Sequence, residues 1–265
     1  MIKLKLSEIA DFVNGELRGS DELVFGSVET DSRLVSAGAL FVAKPGEVTD
    51  GHKFLDNAKN LGAVGAIVEQ LVVDVDLPQI VVEDSVAALG RLAKAVLAKV
   101  KAESELKVIG ITGSNGKTST KNMLRAVLEQ FGSTIAPIES YNNEVGAPIS
   151  VLKIDESTKY LVAELGAGGV GSIAYLAEIT NPDIGVVLKV GLAHVGEFGG
   201  IEVTAKIKAE LAQALKSEHI FIYNFDDAAV SAMTSLTAAT QFSFGTNSEA
   251  NIYFDNVNLT IEGTS

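Results

Sequence analysis

Ten consecutive residues, Gly110-Ile111-Thr112-Gly113-Ser114-Asn115-Gly116-Lys117-Thr118-Ser119, are of the types that grip phosphate. They follow the apolar run Val108 to Ile111 and precede a segment with helical spacing, Thr118 to about Phe131. In that setting Gly113 and Gly116 let backbone N–H groups close around phosphate oxygens, and the helix start adds positive potential. Ser114, Asn115 and Ser119 fill out the loop. Lys117 reaches the outer phosphates of a nucleoside triphosphate, and the Thr118 hydroxyl ligates Mg²⁺. The general pattern wants glycine at 111, where this chain has Ile, and Gly110 and Gly113 stand in for it. The bland alternative is an ordinary glycine-rich turn with a solvated lysine. Gly-Lys-Thr directly after a buried strand weighs against it.

Other residues with chemical potential stand singly. Glu164 ends the buried-looking run Tyr160 to Ala163, where a lone carboxylate is costly unless paired or metal-bound. His194 lies in Gly191-Leu192-Ala193-His194, just after the run Ile184 to Leu188, and a lone histidine is more often structural. Lys206, Lys208 and Lys216 fall on the helical stretch 201–216 and read by pattern alone as a solvated face. Ser32 and Arg33 follow the β-like run Ser27 to Thr30; a planar guanidinium suits phosphate or carbonyl edges, and a turn arginine is the alternative. Asn142 and Asn143 are turn formers at the least. His52 and His219 read as structural.

Two patterns of elements must position these groups. Residues 1 to about 84 alternate short β-like runs (27–30, 39–43, 63–68, 79–82) with polar turns and one helical segment, Phe54 to Leu61. Ser85, read as an N-cap, then opens a helix to Val100 with Val86, Leu89, Leu92, Ala93, Val96 and Leu97 on one face. From Leu106 continuous apolar runs alternate with helical stretches, ending with His219 to Tyr223 and an alternating strand from Asn251 to Ile261. The expected fold is α/β: a small mixed α/β domain over 1–84, then over 85–265 a P-loop, mostly parallel sheet covered by helices on both faces.

Bulk composition narrows the classes. With 265 residues, 47% apolar, the chain can bury one large core or two ordinary ones. A formal charge of −13 leaves no basic footprint for nucleic acid, so anionic ligands must be met by local devices. The absence of cysteine excludes disulfides, thiolate metal sites and a cysteine nucleophile. Glu8 and Asp11 interrupt any signal-like start, and no apolar run approaches the roughly 20 residues that span a bilayer, so a cytoplasmic protein without membrane insertion is expected.

The form Gly-x-Thr-Gly-x-x-Gly-Lys-Thr resembles the Mur ligases and their folylpolyglutamate synthetase relatives more than other P-loop proteins. Further segments resemble the same family in order: Asp31-Ser32-Arg33, Gly38 to Ala43, Asp50-Gly51-His52, Asn142 to Pro148, Glu164 to Ala167, Gly191 to His194, Ala205 to Glu210 and Asn224 to Asp227. The Asn-Asn-Glu segment is similar to the MurF type. That resemblance implies a ligase that uses ATP and Mg²⁺, two ions by the family's pattern, to join D-alanyl-D-alanine to a UDP-N-acetylmuramoyl-tripeptide through an acyl phosphate. It also implies roles. Lys117, Glu164, His194 and Lys208 become catalytic; Thr118, Glu164, His194 and Lys208 become metal ligands, with Lys208 carbamylated. Asn224 and Asp227 become adenine- and ribose-side contacts, and Ser32, Arg33, Asn142 and Asn143 bind the UDP-linked substrate.

Two departures stand out. Lys189 falls where relatives usually have Asn, and an inward lysine would weaken a magnesium site. Gly168-Gly169 stands where they often carry a bulkier or charged residue. The family has a third domain that these 265 residues do not contain, so the chain by itself is expected not to ligate. A MurE-type ligase, a folylpolyglutamate synthetase and a non-catalytic module binding UDP-sugar and ATP are the alternatives.

Overall fold

A strand whose every residue is apolar needs cover on both faces. Two such segments, β5 (Leu40–Ala43) and β6 (Gly65–Val68), are buried along their whole length at the centre of a five-stranded sheet. The computed structural model describes residues 1–46, 49–137, 140–191 and 199–254, with the backbone of 259–260 and 263–264. Contacts divide it into two compact units, which are treated separately: Met1–Leu106 with Gly132–Leu161, and Lys107–Phe131 with Val162–Ser265.

The first unit opens with β1 (Leu4–Lys5), α1 (Leu6–Val13), β2 (Glu16–Arg18) and β3 (Leu23–Val24), none of them evident from the sequence pattern. Its five-stranded sheet runs in the order β2, β7 (Gln79–Val81), β6, β5, β4 (Val28–Glu29), parallel except for the antiparallel β2–β7 pair. Phe41, Val68 and Ala66 of the sheet pack with Leu55 and Ala58 of α2 (Leu55–Asn60) in one core. The helix α3 (Ser85–Glu103) buries Leu89, Leu92, Ala93, Val96 and Leu97, the face its spacing predicts. Each such leucine stabilises the fold by roughly 1.5–3 kcal/mol.

Its start differs from expectation. Asp84, not Ser85, is the N-cap, its Oδ1 accepting from the Val86 and Ala87 N–H groups at 2.8 and 2.9 Å. Ser85 is buried instead, its hydroxyl donating to Glu69. An aspartate satisfies the same orphan donors and adds negative charge at the positive helix end. Because α3 packs against α1, β5 and β6, it groups with the first unit. By its contacts the chain divides at 106–107, and residues 132–161 group with the first unit.

The second sheet has seven strands in the order β14 (Ile252–Tyr253), β13 (Thr240–Gly245), β12 (Ile220–Asn224), β11 (Ile184–Val187), β8 (Lys107–Thr112), β10 (Tyr160–Glu164), β9 (Thr134–Ile135). Every register described for it is parallel. The helices between its strands are α4 (Lys117–Leu128), α5 (Gly146–Val151), α6 (Ser172–Thr180), α7 (Ile201–Ala214) and α8 (Ala228–Ser231). The chain passes from β8 outward to one edge, then returns to lay β11 on β8's other side. The carboxyl end of β8 is thus the topological switch point, where open parallel sheets bind ligands. The expected strand 251–261 is broken: Ile252–Tyr253 lies in this sheet, Leu259–Thr260 pairs antiparallel with Gly263–Thr264, and 255–258 and 261–262 lie outside the described residues.

Candidate functional site

The glycine-rich loop leaves β8 at the switch point and enters α4. Gly116, the cap residue of α4, sits at φ +86°, a left-handed conformation that a side chain would resist, and no side chain caps the helix. The first N–H groups of a 12-residue helix therefore face the loop, the arrangement that receives an anion. A Cβ on Gly113, whose φ is +156°, would crowd the Leu188 Cβ at 3.0 Å and the Lys189 nitrogen at 3.3 Å, so glycine suits the space between the loop and β11's exit. The Lys117 ammonium lies back along the loop and donates to the Gly113 carbonyl at 2.9 Å. Asn115 and Ser119 are exposed.

Beside the loop, Glu164 closes β10 and is 1% exposed. The Thr118 hydroxyl donates to its Oε2 at 3.1 Å. A hydroxyl and a carboxylate make an all-oxygen pair, the donor chemistry a hard cation such as Mg²⁺ takes. The next residue holds the strands in step: Leu165 donates its N–H to Ile111 at 2.8 Å and accepts the Thr112 hydroxyl at 2.9 Å. Among the described residues no three His, Cys, Asp or Glu side chains cluster. His194 lies outside the described residues.

Lys208 is not on a solvated face. It is 3% exposed on α7, and its amine is pushed down to about 8, first by burial and then by the Lys117 cation. The expected companions Thr118, Glu164, Lys117 and Lys208 all lie in the second unit. Lys189, the doubtful departure, is exposed; its backbone carbonyl accepts the Ser114 N–H at 2.8 Å. Among the described residues, nothing lies within 4 Å of a Cβ added to Gly168 or Gly169.

Asn224 and Asp227 have structural tasks here. Asn224 donates through Nδ2 to the Leu188 carbonyl at 2.9 Å. Asp227 caps α8 through Oδ1 and accepts the Val190 N–H through Oδ2 at 2.9 Å. From the other side the Ser114 hydroxyl accepts the Gly191 N–H at 2.8 Å. Segment 188–191 is held between the phosphate loop and the 224–227 turn.

Sequence reasoning passed over Lys121, which is fully buried although charged. Its spacing from Lys117 and Thr118, four and three residues, puts it on their side of α4 and was the available signal.

Of the substrate candidates in the first unit, Asn143 lines a cavity of about 530 Å³ together with Glu29, Asp31, Lys44, Tyr141 and Lys153 among others, while Ser32, Arg33 and Asn142 neighbour lining residues in sequence without lining it themselves. Burial raises the Glu29 carboxyl above its usual range, with Lys153 among the groups opposing the rise. Asp31 is held down at about 2 by the side chain and backbone N–H of Arg33, whose guanidinium is otherwise exposed. Ser32 is buried, its hydroxyl accepting from Asn57 at 3.0 Å. The Asn143 Oδ1 accepts from the Val145 and Gly146 N–H groups at 3.3 and 2.8 Å, just ahead of α5, and Asn142 is half-buried. His52 is structural as expected: Asp50 meets its Nδ1, and its Nε2 accepts from the Glu69 and Gln70 N–H groups.

Comparison with known proteins gives two family matches: the Mur ligase middle domain over residues 111–265, and the Mur ligase family catalytic domain over 25–96. The UDP-N-acetylmuramoyl-tripeptide--D-alanyl-D-alanine ligase of Mycobacterium leprae is 43% identical over 268 residues, covering 90% of this chain and 51% of its own length. A crystal structure of MurF from Acinetobacter baumannii superposes with a TM-score of 0.87 at 28% identity, covering 99% of this chain and 60% of that one. The MurF ligase of Thermotoga maritima in complex with ADP gives 0.79 at 32% identity, over 90% and 54%. The chain spans about half the length of the relatives it matches. No described helix is long and apolar enough to cross a membrane.

Proposed function

The chain belongs to the Mur ligase family, and from that premise we propose that it supplies the ATP- and UDP-substrate-binding part of an ATP-dependent ligase joining D-alanyl-D-alanine to a UDP-N-acetylmuramoyl-tripeptide in the cytoplasm, and does not ligate by itself. The observation that carries this reading is the buried Glu164 bonded to Thr118 at the mouth of the phosphate loop. A carboxylate resists attack by an amine until one oxygen becomes a leaving group. ATP supplies that change: its terminal phosphoryl group passes to the peptide's free carboxylate, giving an acyl phosphate and ADP. The amine of D-alanyl-D-alanine then attacks the carbonyl carbon, loses a proton and expels inorganic phosphate, leaving the amide.

The chain's part is to position reactants and offset charge. The N–H groups at the start of α4 receive the phosphates, and Lys117 exchanges its bond to Gly113 for one to a phosphate oxygen. Thr118 and Glu164 hold Mg²⁺, with His194 and Lys208 assigned to a second ion on the family resemblance. When bound, the metal neutralises developing charge on the transferring phosphoryl oxygens. Lys208 suits carbamylation because a lowered amine spends more time unprotonated: its nitrogen bonds CO₂, releases a proton and becomes an anionic ligand beside Lys117. Asn224 and Asp227 serve the nucleotide side by holding segment 188–191 to Ser114. Lys44, Lys153 and Asn143 of the cavity lining receive the UDP-linked peptide in the first unit, with Ser32, Arg33 and Asn142 assigned to it on the family resemblance.

Calorimetry with ATP and Mg²⁺, and with UDP-N-acetylmuramoyl-tripeptide against the acceptor one residue shorter, tests the reading. The expected result is Mg²⁺-dependent ATP binding and preference for the UDP-linked tripeptide. A preference for a UDP-N-acetylmuramoyl acceptor one residue shorter would reassign the chain to an amino-acid-adding ligase.

A further inference from the structure

The start of α6 is capped from outside. Its own cap residue is Gly171, at φ +89°, which has no side chain to offer. Instead Glu210 of α7 accepts the Gly171 N–H through Oε1 at 2.7 Å and the Ala174 N–H through Oε2 at 2.9 Å. In a capping box two side chains of one helix divide these jobs, one bonding the cap N–H and the other the N–H three residues on. Here one carboxylate from a neighbouring helix does both, at the positive end of the α6 dipole.

The loop that leaves Glu164 is thereby pinned at both ends. Leu165 is tied to Ile111 and Thr112 of β8, and Gly171 is tied to α7. Between the pins, the Gly168 and Gly169 N–H groups converge on the Ser172 hydroxyl, and among the described residues nothing lies within 4 Å of a Cβ added to either glycine. Glu210 stands two residues beyond Lys208 on the same helix. Residues so spaced do not share a helix face, so α7 buries Lys208 while turning Glu210 toward α6.

We propose that Glu210 is a positioning residue that holds the Glu164-bearing segment and the Lys208-bearing helix in one register and thereby sets the chain's affinity for its divalent cation. The proposal rests on the reading of Thr118, Glu164 and Lys208 as that cation's holders. The test is calorimetry of a non-hydrolysable ATP analogue across a Mg²⁺ titration, paired with hydrogen exchange. It compares the wild-type chain, Glu210→Ala, Glu210→Gln, and Asp84→Ala, which removes a cap in the other unit.

Glu210→Ala should raise the Mg²⁺ concentration for half-maximal effect about 5- to 10-fold, the range lost caps produce, while Mg²⁺-free analogue affinity holds. Exchange should quicken across 166–174. Glu210→Gln, with one acceptor oxygen left, should fall between, and Asp84→Ala should lower the melting temperature without moving the Mg²⁺ requirement. An unchanged requirement in Glu210→Ala, or parallel loss of Mg²⁺-free and Mg²⁺-dependent affinity, overturns the proposal. Analogue binding that ignores Mg²⁺ in the wild-type chain overturns the metal reading itself and the proposal with it, whatever the exchange shows.

Discussion

The phosphate loop and the first unit's cavity are built in opposite ways. The loop is ten contiguous residues, Gly110 to Ser119, between one strand and one helix. The cavity draws on 29–44 and 140–153, segments about a hundred residues apart in the chain. A ligand held by a local device depends on few atoms, all fixed by one turn of backbone. A ligand held by dispersed residues depends on a fold, and each side chain carries a smaller share.

The sharpest way to break this contrast is to delete one cation from each region. Lys117→Ala should weaken ATP binding by roughly 100-fold or more, the scale of losing one partner of a desolvated charge pair. Lys44→Ala or Lys153→Ala should weaken binding of the UDP-linked peptide by only about 2- to 5-fold, since a solvent-facing charge contributes under about 1 kcal/mol. Calorimetry of both ligands on all three variants decides it. Equal losses would show that the cavity, too, hangs on a single group.

A smaller effect concerns stability. The Lys208 amine is lowered to about 8 from 10.5, so between those values the unfolded chain keeps a proton that the folded chain has released. Stability should therefore rise as pH climbs from about 8 toward 10.5, and the strain of the buried cation is present in full below 8. Lys208→Met should melt higher than wild type at pH 7 and lose that rise, as thermal melts across pH 7–10 would register. The smallest effect belongs to Asp31, held at about 2 against 3.8 by Arg33. Its contribution is present above pH 3.8 and fades as pH falls toward 2. The pair is exposed, so Asp31→Asn should flatten that acid limb by less than about 1 kcal/mol.

The same contrast governs what the sequence discloses. Gly-Lys-Thr after Val108 to Ile111 announces both its element and its chemistry, because motif and structure are local. Periodicity likewise revealed α3, yet it misplaced the cap, since Asp84 and Ser85 are both capping residues and only the fold shows Ser85 turned inward to Glu69. Lys208 reads as solvated by pattern; the family motif, not its spacing, singled it out, and the fold buries it. Lys121, the outside cap from Glu210 and the tasks of Asn224 and Asp227 depend on neighbours distant in sequence. So do the short strands β1 to β3, which lack the length to show a period.

The first unit is discontinuous: residues 107–131, which carry the phosphate loop, interrupt it before 132–161 return. A ribosome delivering this chain therefore completes β8 and α4 before the first unit has all its residues. Neither unit can finish folding as a simple N-terminal piece, and the order domain-by-domain folding usually follows is interleaved here. Protease cleavage at Leu106 would part 132–161 from the rest of the first unit, and cleavage at Phe131 would divide both units. The two ligand regions, so different in construction, share one folding history.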